Sequence, residues 1–259
     1  MSKREHISYS ELKDWNTCPH YHKKAWVEKV APFEGNEYTA FGSAIHDVCE
    51  KKLLKKNISE TAAFQLGFAE RIQELMEKNI EFDAKRVQEM KVAGPAILAE
   101  VEDALNDYFG DYEVFSSEEK LYVPIENFNV YFKGFIDAVV KVGDTYHLFD
   151  WKTCSWGWDS RRKSEKMVTY QLTLYKHFFC QKHKIDPANV ETHFALLKRT
   201  AKKNRVEIFR VTSGPKKTEN ALKLLYQAIY NIIKGVSIKN RLNCLKPYRC
   251  KLYNTEHCR

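Results

Sequence analysis

Apolar positions change their period along this chain, and the change divides it into regions. From Ser8 to Val30, and again from Phe41 to Leu54, apolar residues recur at helical spacing; Ile45, Val48, Cys49 and Leu53 share one face. Ser10 is placed to cap the first helix ahead of Glu11-Leu12-Lys13-Asp14, and Cys18-Pro19 interrupts it. Two longer amphipathic helices follow, over Ser59–Asn79 and Asp83–Phe109. Gly94-Pro95 falls inside the second, and proline removes a helix hydrogen bond, so a kink or break is expected there. Residues 58–109 carry no strand pattern and read as a helical insertion or cap over the core.

After residue 118 the pattern shortens to period two or to brief apolar runs. Glu119–Ile125, Val130–Val140 and Tyr146–Trp151 read as a strand meander, with Asn127, Gly143 and Asp144 at the turns. Glu165–Lys182 returns to helical period. Val190–Leu197 and Arg205–Val211 are two further strands across a basic turn at Lys202-Lys203-Asn204, and Gly214-Pro215 opens a last helix to about Lys234. Helices, a meander, one helix, two strands and a helix make an α/β fold with a mixed central sheet flanked by helices. The whole of 1–259 is expected to be a single domain, with 58–109 inserted in it and residues 240–259 as a tail.

Composition narrows the class. A chain of 259 residues can bury a sizeable core, and 44% hydrophobic residues with only 10 glycines and 7 prolines mark it as globular, not disordered. A net charge of +8 suits polyanions such as nucleic acid, though charge alone is a weak pointer. No apolar run reaches the roughly 18 residues of a membrane span. The start, MSKREHISYSEL, lacks an apolar signal core, which places the protein in the cytoplasm of a cell or of a phage-infected host. There a disulfide framework is not expected from the 7 cysteines. Cys49, Cys154 and Cys180 read as buried small hydrophobes, whereas Cys18 stands near the start and Cys244, Cys250 and Cys258 crowd the end.

The densest chemistry lies at Asp150-Trp151-Lys152, where an apolar strand stops. Side chains two apart on a strand share a face, so the carboxylate and the ammonium project together while Trp151 turns into the core. The tripeptide alone favours an ordinary same-face ion pair, worth under about 1 kcal/mol if exposed. Its neighbours change the balance. Asp137 sits among apolar residues in the preceding strand, where a carboxylate needs a partner or a metal. Asp137 and Asp150 on adjacent strands offer the hard oxygens that suit Mg²⁺ or Mn²⁺, and Glu119 could add another. Gln171 and Tyr175 lie four apart on one helical face.

Taken together, Gly42-Ser-Ala-Ile-His46, Gly134-Phe-Ile-Asp137, Asp150-Trp-Lys152 and Gln171-Leu-Thr-Leu-Tyr175 resemble, in order, the GxxxH, GxxD, DxK and QxxxY elements of the RecB-like exonuclease branch of the PD-(D/E)xK nuclease superfamily. The resemblance implies a restriction-endonuclease-like core and a divalent-metal-dependent deoxyribonuclease. It implies that Asp137, Asp150, His46 and the Trp151 backbone carbonyl hold the metal. Lys152 would position or deprotonate the attacking water, or stabilise charge on the phosphate, while Gln171 and Tyr175 support Lys152 and the DNA strand. An exonuclease on single-stranded or tailed DNA ends, in recombination, repair or phage DNA processing, with recombination or replication proteins as candidate partners, is the leading expectation. A structure-specific endonuclease or nickase of the same fold, and a non-catalytic nucleic-acid-binding module, are the alternatives.

One early cysteine with three late ones is also a habit of such nucleases, as in the nuclease domain of AddB and CRISPR-associated RecB-like exonucleases. There four thiolates bind an iron–sulfur cluster that joins the two ends. Cys18, Cys244, Cys250 and Cys258 are thus expected to hold a [4Fe–4S] cluster, with structural Zn²⁺ as the alternative. The trailing spacing Cys244-x₅-Cys250-x₇-Cys258 departs from the C-x₂-C-x₅-C of that group. Beside the DxK strand, Trp156, Trp158, Arg161, Arg162 and Lys163 interleave rings and cations, which suits stacking and phosphate contact with a single strand; a surface loop with core tryptophans is the other reading.

Overall fold

The computed structural model describes residues 4–30, 34–245 and 249–259, so residues 246–248 of the cysteine-rich tail lie outside it. The chain forms two compact units: one of Met1–Phe33, Leu121–Gly134 and Gly214–Arg259, the other of Glu34–Lys120 and Phe135–Ser213.

The larger unit holds α3 (Glu37–Leu53), α4 (Glu60–Glu77), α5 (Ala84–Phe109), most of β2 (Glu113–Pro124) and of β3 (Tyr131–Val142), β4 (Thr145–Cys154), α6 (Ser160–Ser164), α7 (Lys166–His183), β5 (Val190–Lys198) and β6 (Val206–Val211). The helix starts read from sequence are set by side-chain caps: Ser59 Oγ accepts from the Ala62 amide and Asp83 Oδ1 from the Arg86 amide. β3 and β4 are antiparallel, β4 and β5 parallel, and β5 and β6 antiparallel, with β2 on β3. The parallel step needs a crossover, which α7 supplies. β5 is buried along nearly its whole length, so it reads as a continuous apolar run and not as an alternation.

Alternation sorts the sheet's side chains onto two faces. Ala138, Val140, Phe149, Trp151, Ala195 and Leu197 share one core with α3, α4 and α5. Leu172 of α7 meets Phe194, Leu196 and Val211 on the other. The two helices of residues 58–109 are therefore part of the principal core. Phe41, Phe64 and Phe68 meet there with ring centroids 5.6–5.9 Å apart, each burying a side chain worth about 1.5–3 kcal/mol. The interruption expected at Gly94-Pro95 does not break α5, which runs through Pro95. Gly94 is needed for another reason: a Cβ there would stand 2.2 Å from the Phe64 ring.

The smaller unit holds β1 (His6–Ser8), α1 (Tyr9–Thr17), α2 (Pro19–His22), α8 (Pro215–Ile233) and the tail. β1 pairs parallel to β3 from His6↔Tyr131 to Ser8↔Lys133. It ends at Ser8, where the helix read from sequence begins, and it moves the cap: Ser8, not Ser10, accepts from the Glu11 amide at 3.2 Å. α1 ends at Cys18, whose extended backbone follows from the proline after it. The buried Glu11 carboxylate holds Arg4 at 2.5 Å and His22 at 2.7 Å. Among the described residues no helix is long and apolar enough to cross a membrane.

Candidate active site

The site lies where β3 and β4 part. Their ladder runs from Val142↔Thr145 to Ala138↔Phe149. Beyond that pair the Trp151 amide donates to the carboxylate of Asp137, Oδ2, at 2.7 Å. A side chain thus takes the place of a ladder acceptor and holds the two strands as a fork. Trp151 itself is fully buried and edge-on to Phe149. Asp150 and Lys152 consequently share the opposite face, as alternation requires.

Helices from both faces reach the fork. Gly42 and His46 lie one turn apart on α3; a Cβ on Gly42 would already touch Thr153 Oγ1 of β4 at 3.4 Å, so the missing side chain lets the helix lie close. His46 Nδ1 then comes 3.7 Å from Asp137 Oδ2. From α7, Gln171 Nε2 donates to Asp150 Oδ1 at 2.7 Å and stands 3.4 Å from the Tyr175 hydroxyl. Lys152 Nζ lies 2.5 Å from Asp150 Oδ2 and 5.9 Å from the centroid of the Phe194 ring. The structure therefore brings together His46, Asp137, Asp150, Lys152, Gln171 and Tyr175.

The electrostatics of this fork are unfavourable to bare carboxylates. Burial pushes Asp137 up to about 6, against the pull of the Lys152 charge and the Trp151 amide. Burial pushes Asp150 to about 6 as well, with Lys152 opposing and Asp137 adding to the rise. Solvent reaches about a quarter of the Asp137 side chain, yet protein crowds the carboxylate on its other sides. Burial holds His46 down at about 4, so its imidazole is neutral and keeps a lone pair to donate. Burial also raises the Tyr175 hydroxyl far above its ordinary range. The partner of Asp150 Oδ2 is the Lys152 ammonium, 2.5 Å away. A buried carboxylate beside a second carboxylate and a neutral imidazole is a donor set that suits a small divalent cation.

Glu119 does not join the fork. Its carboxylate binds Lys182 at 2.6 Å and His183 at 2.7 Å at the far end of α7, where those partners outweigh burial and hold its pKa low. The exposed Glu118 beside it adds to the rise at Asp137 through its charge. It has a left-handed backbone, φ 49°, in the middle of β2. Such a step shifts which side chain faces inward, and nothing in the local residue pattern announces it. Burial raises the Glu118 carboxyl, with Glu50 and Asp47 of α3 adding to the rise.

The aromatic and basic segment divides. Trp156 is 77% exposed, while Trp158 packs against Phe194 at 5.1 Å and lies under the Arg162 guanidinium at 4.8 Å. Lys163 pairs with Glu207 at 2.5 Å, and Arg161 is exposed on α6. In the smaller unit the four cysteines are drawn to one region. Burial raises the Cys250 thiol, and Cys244, Cys18 and Cys258 each add to the rise. The Asn240 amide donates to Cys18 Sγ at 3.4 Å, and His20 Nε2 bonds the His257 carbonyl at 2.9 Å, so the tail is tied to the α1–α2 junction.

Among solved structures, a "putative exonuclease" from Eubacterium rectale superposes with a TM-score of 0.59 at 12% identity, covering 92% of this chain and 85% of the other, which shows a shared fold. The protein SSO0001 aligns at a TM-score of 0.41 and 10% identity over 94% of this chain and 83% of its own, too distant to argue from. No curated protein sequence matches this one. The family model of the PD-(D/E)XK nuclease superfamily matches residues 6–254, nearly the full length and every element of the fork, and the chain belongs to that superfamily.

Proposed function

We propose that the chain is a divalent-metal-dependent deoxyribonuclease that removes nucleotides from single-stranded or tailed DNA ends. The observation that carries this reading is the fork itself: two carboxylates, a lysine, an imidazole and a glutamine from four elements meet where β3 and β4 part. Asp137, Asp150 and His46 would hold Mg²⁺ or Mn²⁺, with the Trp151 carbonyl beside them. When bound, such a cation lowers the pKa of water and shields negative charge on a phosphoryl group.

The chain's own groups do the rest. The Trp151 amide fixes Asp137, and Gln171 fixes Asp150, so neither carboxylate has to reorganise. Lys152 Nζ stands at the rim of the fork, where its ammonium orients the attacking water or supports charge growing on the phosphate oxygens. Trp156 offers an exposed ring for base stacking. Cys18, Cys244, Cys250 and Cys258 would carry a structural [4Fe–4S] cluster, or Zn²⁺, that fastens the tail to the chain's start.

The test compares the wild type with Lys152→Ala in Mg²⁺ and in Mn²⁺, on linear single strands, tailed duplexes and covalently closed circles. The wild type is expected to degrade linear substrates and spare the circle. Lys152→Ala is expected to lose about 10²–10⁴-fold in rate while still binding DNA. Cleavage of the closed circle would replace the exonuclease with an endonuclease of the same fold. Wild-type rates in Lys152→Ala would overturn the assignment of the centre.

A further inference from the structure

A second cluster of ligand-type side chains lies at the other end of β4, on the opposite face from Asp150. It comprises His147 of β4 and Glu191 and His193 of β5. These strands pair in parallel with His147 opposite Glu191, so the three side chains stand together on the face covered by α5. His147 Nδ1 and His193 Nε2 are 3.0 Å apart. Glu191 Oε2 lies 3.8 Å from the first and 3.9 Å from the second. Among the described residues this is the group of three ligand atoms that closes within 4.8 Å.

The triangle has a specific size. The point equidistant from its three atoms lies about 2.1 Å from each, which matches Zn–N and Zn–O bond lengths of about 2.0–2.2 Å. A pair of imidazoles joined only by a hydrogen bond would have no reason to keep a carboxylate oxygen equally far from both. The outer contacts also suit ligands. Tyr108 Oη lies 3.2 Å from His193 Nδ1 and can accept its proton, the tautomer that leaves Nε2 a lone pair for a metal. Arg210 Nη2 holds the other oxygen of Glu191 at 2.8 Å and leaves Oε2 turned inward. Such outer partners orient metal ligands in known sites. Phe109 covers the group, with ring centroids 5.2 Å from His147 and 5.3 Å from His193. Burial holds both imidazoles below their ordinary range, which is the neutral form that donates to metals.

We propose that His147, Glu191 and His193 form a second metal site, a two-histidine, one-carboxylate set for a borderline divalent cation of the Zn²⁺ class, that fastens the starts of β4 and β5 to the end of α5. Two nitrogen donors select against Mg²⁺ and Ca²⁺, which prefer oxygen. His147 and Glu191 are only partly buried, so a water can complete a four-coordinate set. The site is separate from the fork and does not rest on the nuclease reading.

The test titrates full-length protein, dialysed against a chelator, with Co²⁺ in excess Mg²⁺. The Mg²⁺ fills the carboxylate fork, and cobalt held by the cysteines declares itself by sulfur-to-metal charge-transfer absorption. One equivalent of Co²⁺ with visible d–d bands and no such charge transfer, displaced by Zn²⁺, is expected. It should vanish in His147→Gln and in Glu191→Gln, whose half-buried side chains spare the core and whose circular dichroism checks the fold. Tyr108→Phe should weaken it about tenfold or more. Zn²⁺ should raise the melting temperature of the wild type and not that of His147→Gln. A wild type without that equivalent, or a His147→Gln variant that binds as the wild type does, would leave only a hydrogen-bonded histidine pair and overturn the proposal.

Discussion

Replacing Gln171 with leucine tests how the fork keeps Asp150 ionised. The carboxylate is 2% exposed, so water cannot take over when the 2.7 Å bond from Gln171 to Oδ1 is removed. A hydrogen bond to a charged group contributes about 1.5–3 kcal/mol. At about 1.4 kcal/mol per pH unit, its loss lifts the carboxyl by roughly one to two pH units. Burial has already brought Asp150 to about 6, so the variant should titrate at about 7–8. Only the ionised carboxylate holds a cation, so activity rises with pH through this value. The acid limb of the cleavage profile should therefore move up by roughly one to two pH units, a limb that belongs to the coupled Asp137–Asp150 pair. At pH 7 and subsaturating Mg²⁺ the rate should fall up to about tenfold and recover near pH 9. Initial rates on an end-labelled single strand, taken across pH for both proteins, decide it. A Gln171→Leu profile lowered uniformly, with its acid limb where the wild type's is, would refute action through Asp150.

Three further outcomes follow from the same coordinates. A carboxyl raised on folding binds its proton more tightly when folded. The metal-free protein should thus lose stability as pH climbs from about 4 through about 6, and added Mg²⁺ or Mn²⁺ should raise the melting temperature more at about pH 8 than at about pH 5; equal gains would contradict the values at Asp137 and Asp150. Gly94→Ala should destabilise by about 1–3 kcal/mol in urea unfolding despite alanine's better helix propensity, because the new Cβ meets the Phe64 ring at 2.2 Å, and Phe64→Leu in the same chain should return part of the loss. Trp156→Ala should weaken single-strand binding by about 1–3 kcal/mol with an unchanged melting temperature, whereas Trp158→Ala should lower the melting temperature, since only Trp156 is exposed.

Much of the architecture is legible from residue order. The periods of apolar residues place α4, α5, α7, β4, β5 and β6 within a few residues, because each buries one face and so repeats its own geometry. The motif residues of the fork are legible for a related reason: each sits at a fixed step on a regular element, and alternation alone puts Asp150 and Lys152 on one side and Trp151 on the other. Ser8 and β1 escape such reading because three residues are too few to show a period, and the strand exists only through its pairing with Tyr131–Lys133. Pro95 misleads because a proline's local cost is outweighed when the helix buries Val87, Ile97, Leu98 and Val101 in one core.

What the residue order determined by itself is most of the longer elements, the acid–lysine strand end and the four-part motif, all of which are local or nearly so. Tertiary structure alone decided that Lys182 and His183 hold Glu119 away from the fork, and that Trp158 packs against the core. It alone brought His147 to His193, 46 residues on, because only the parallel pairing of β4 with β5 makes them neighbours. Distances along a chain report the geometry of a single element; which faces of different elements meet is set by burial of the whole, and no local pattern carries that information.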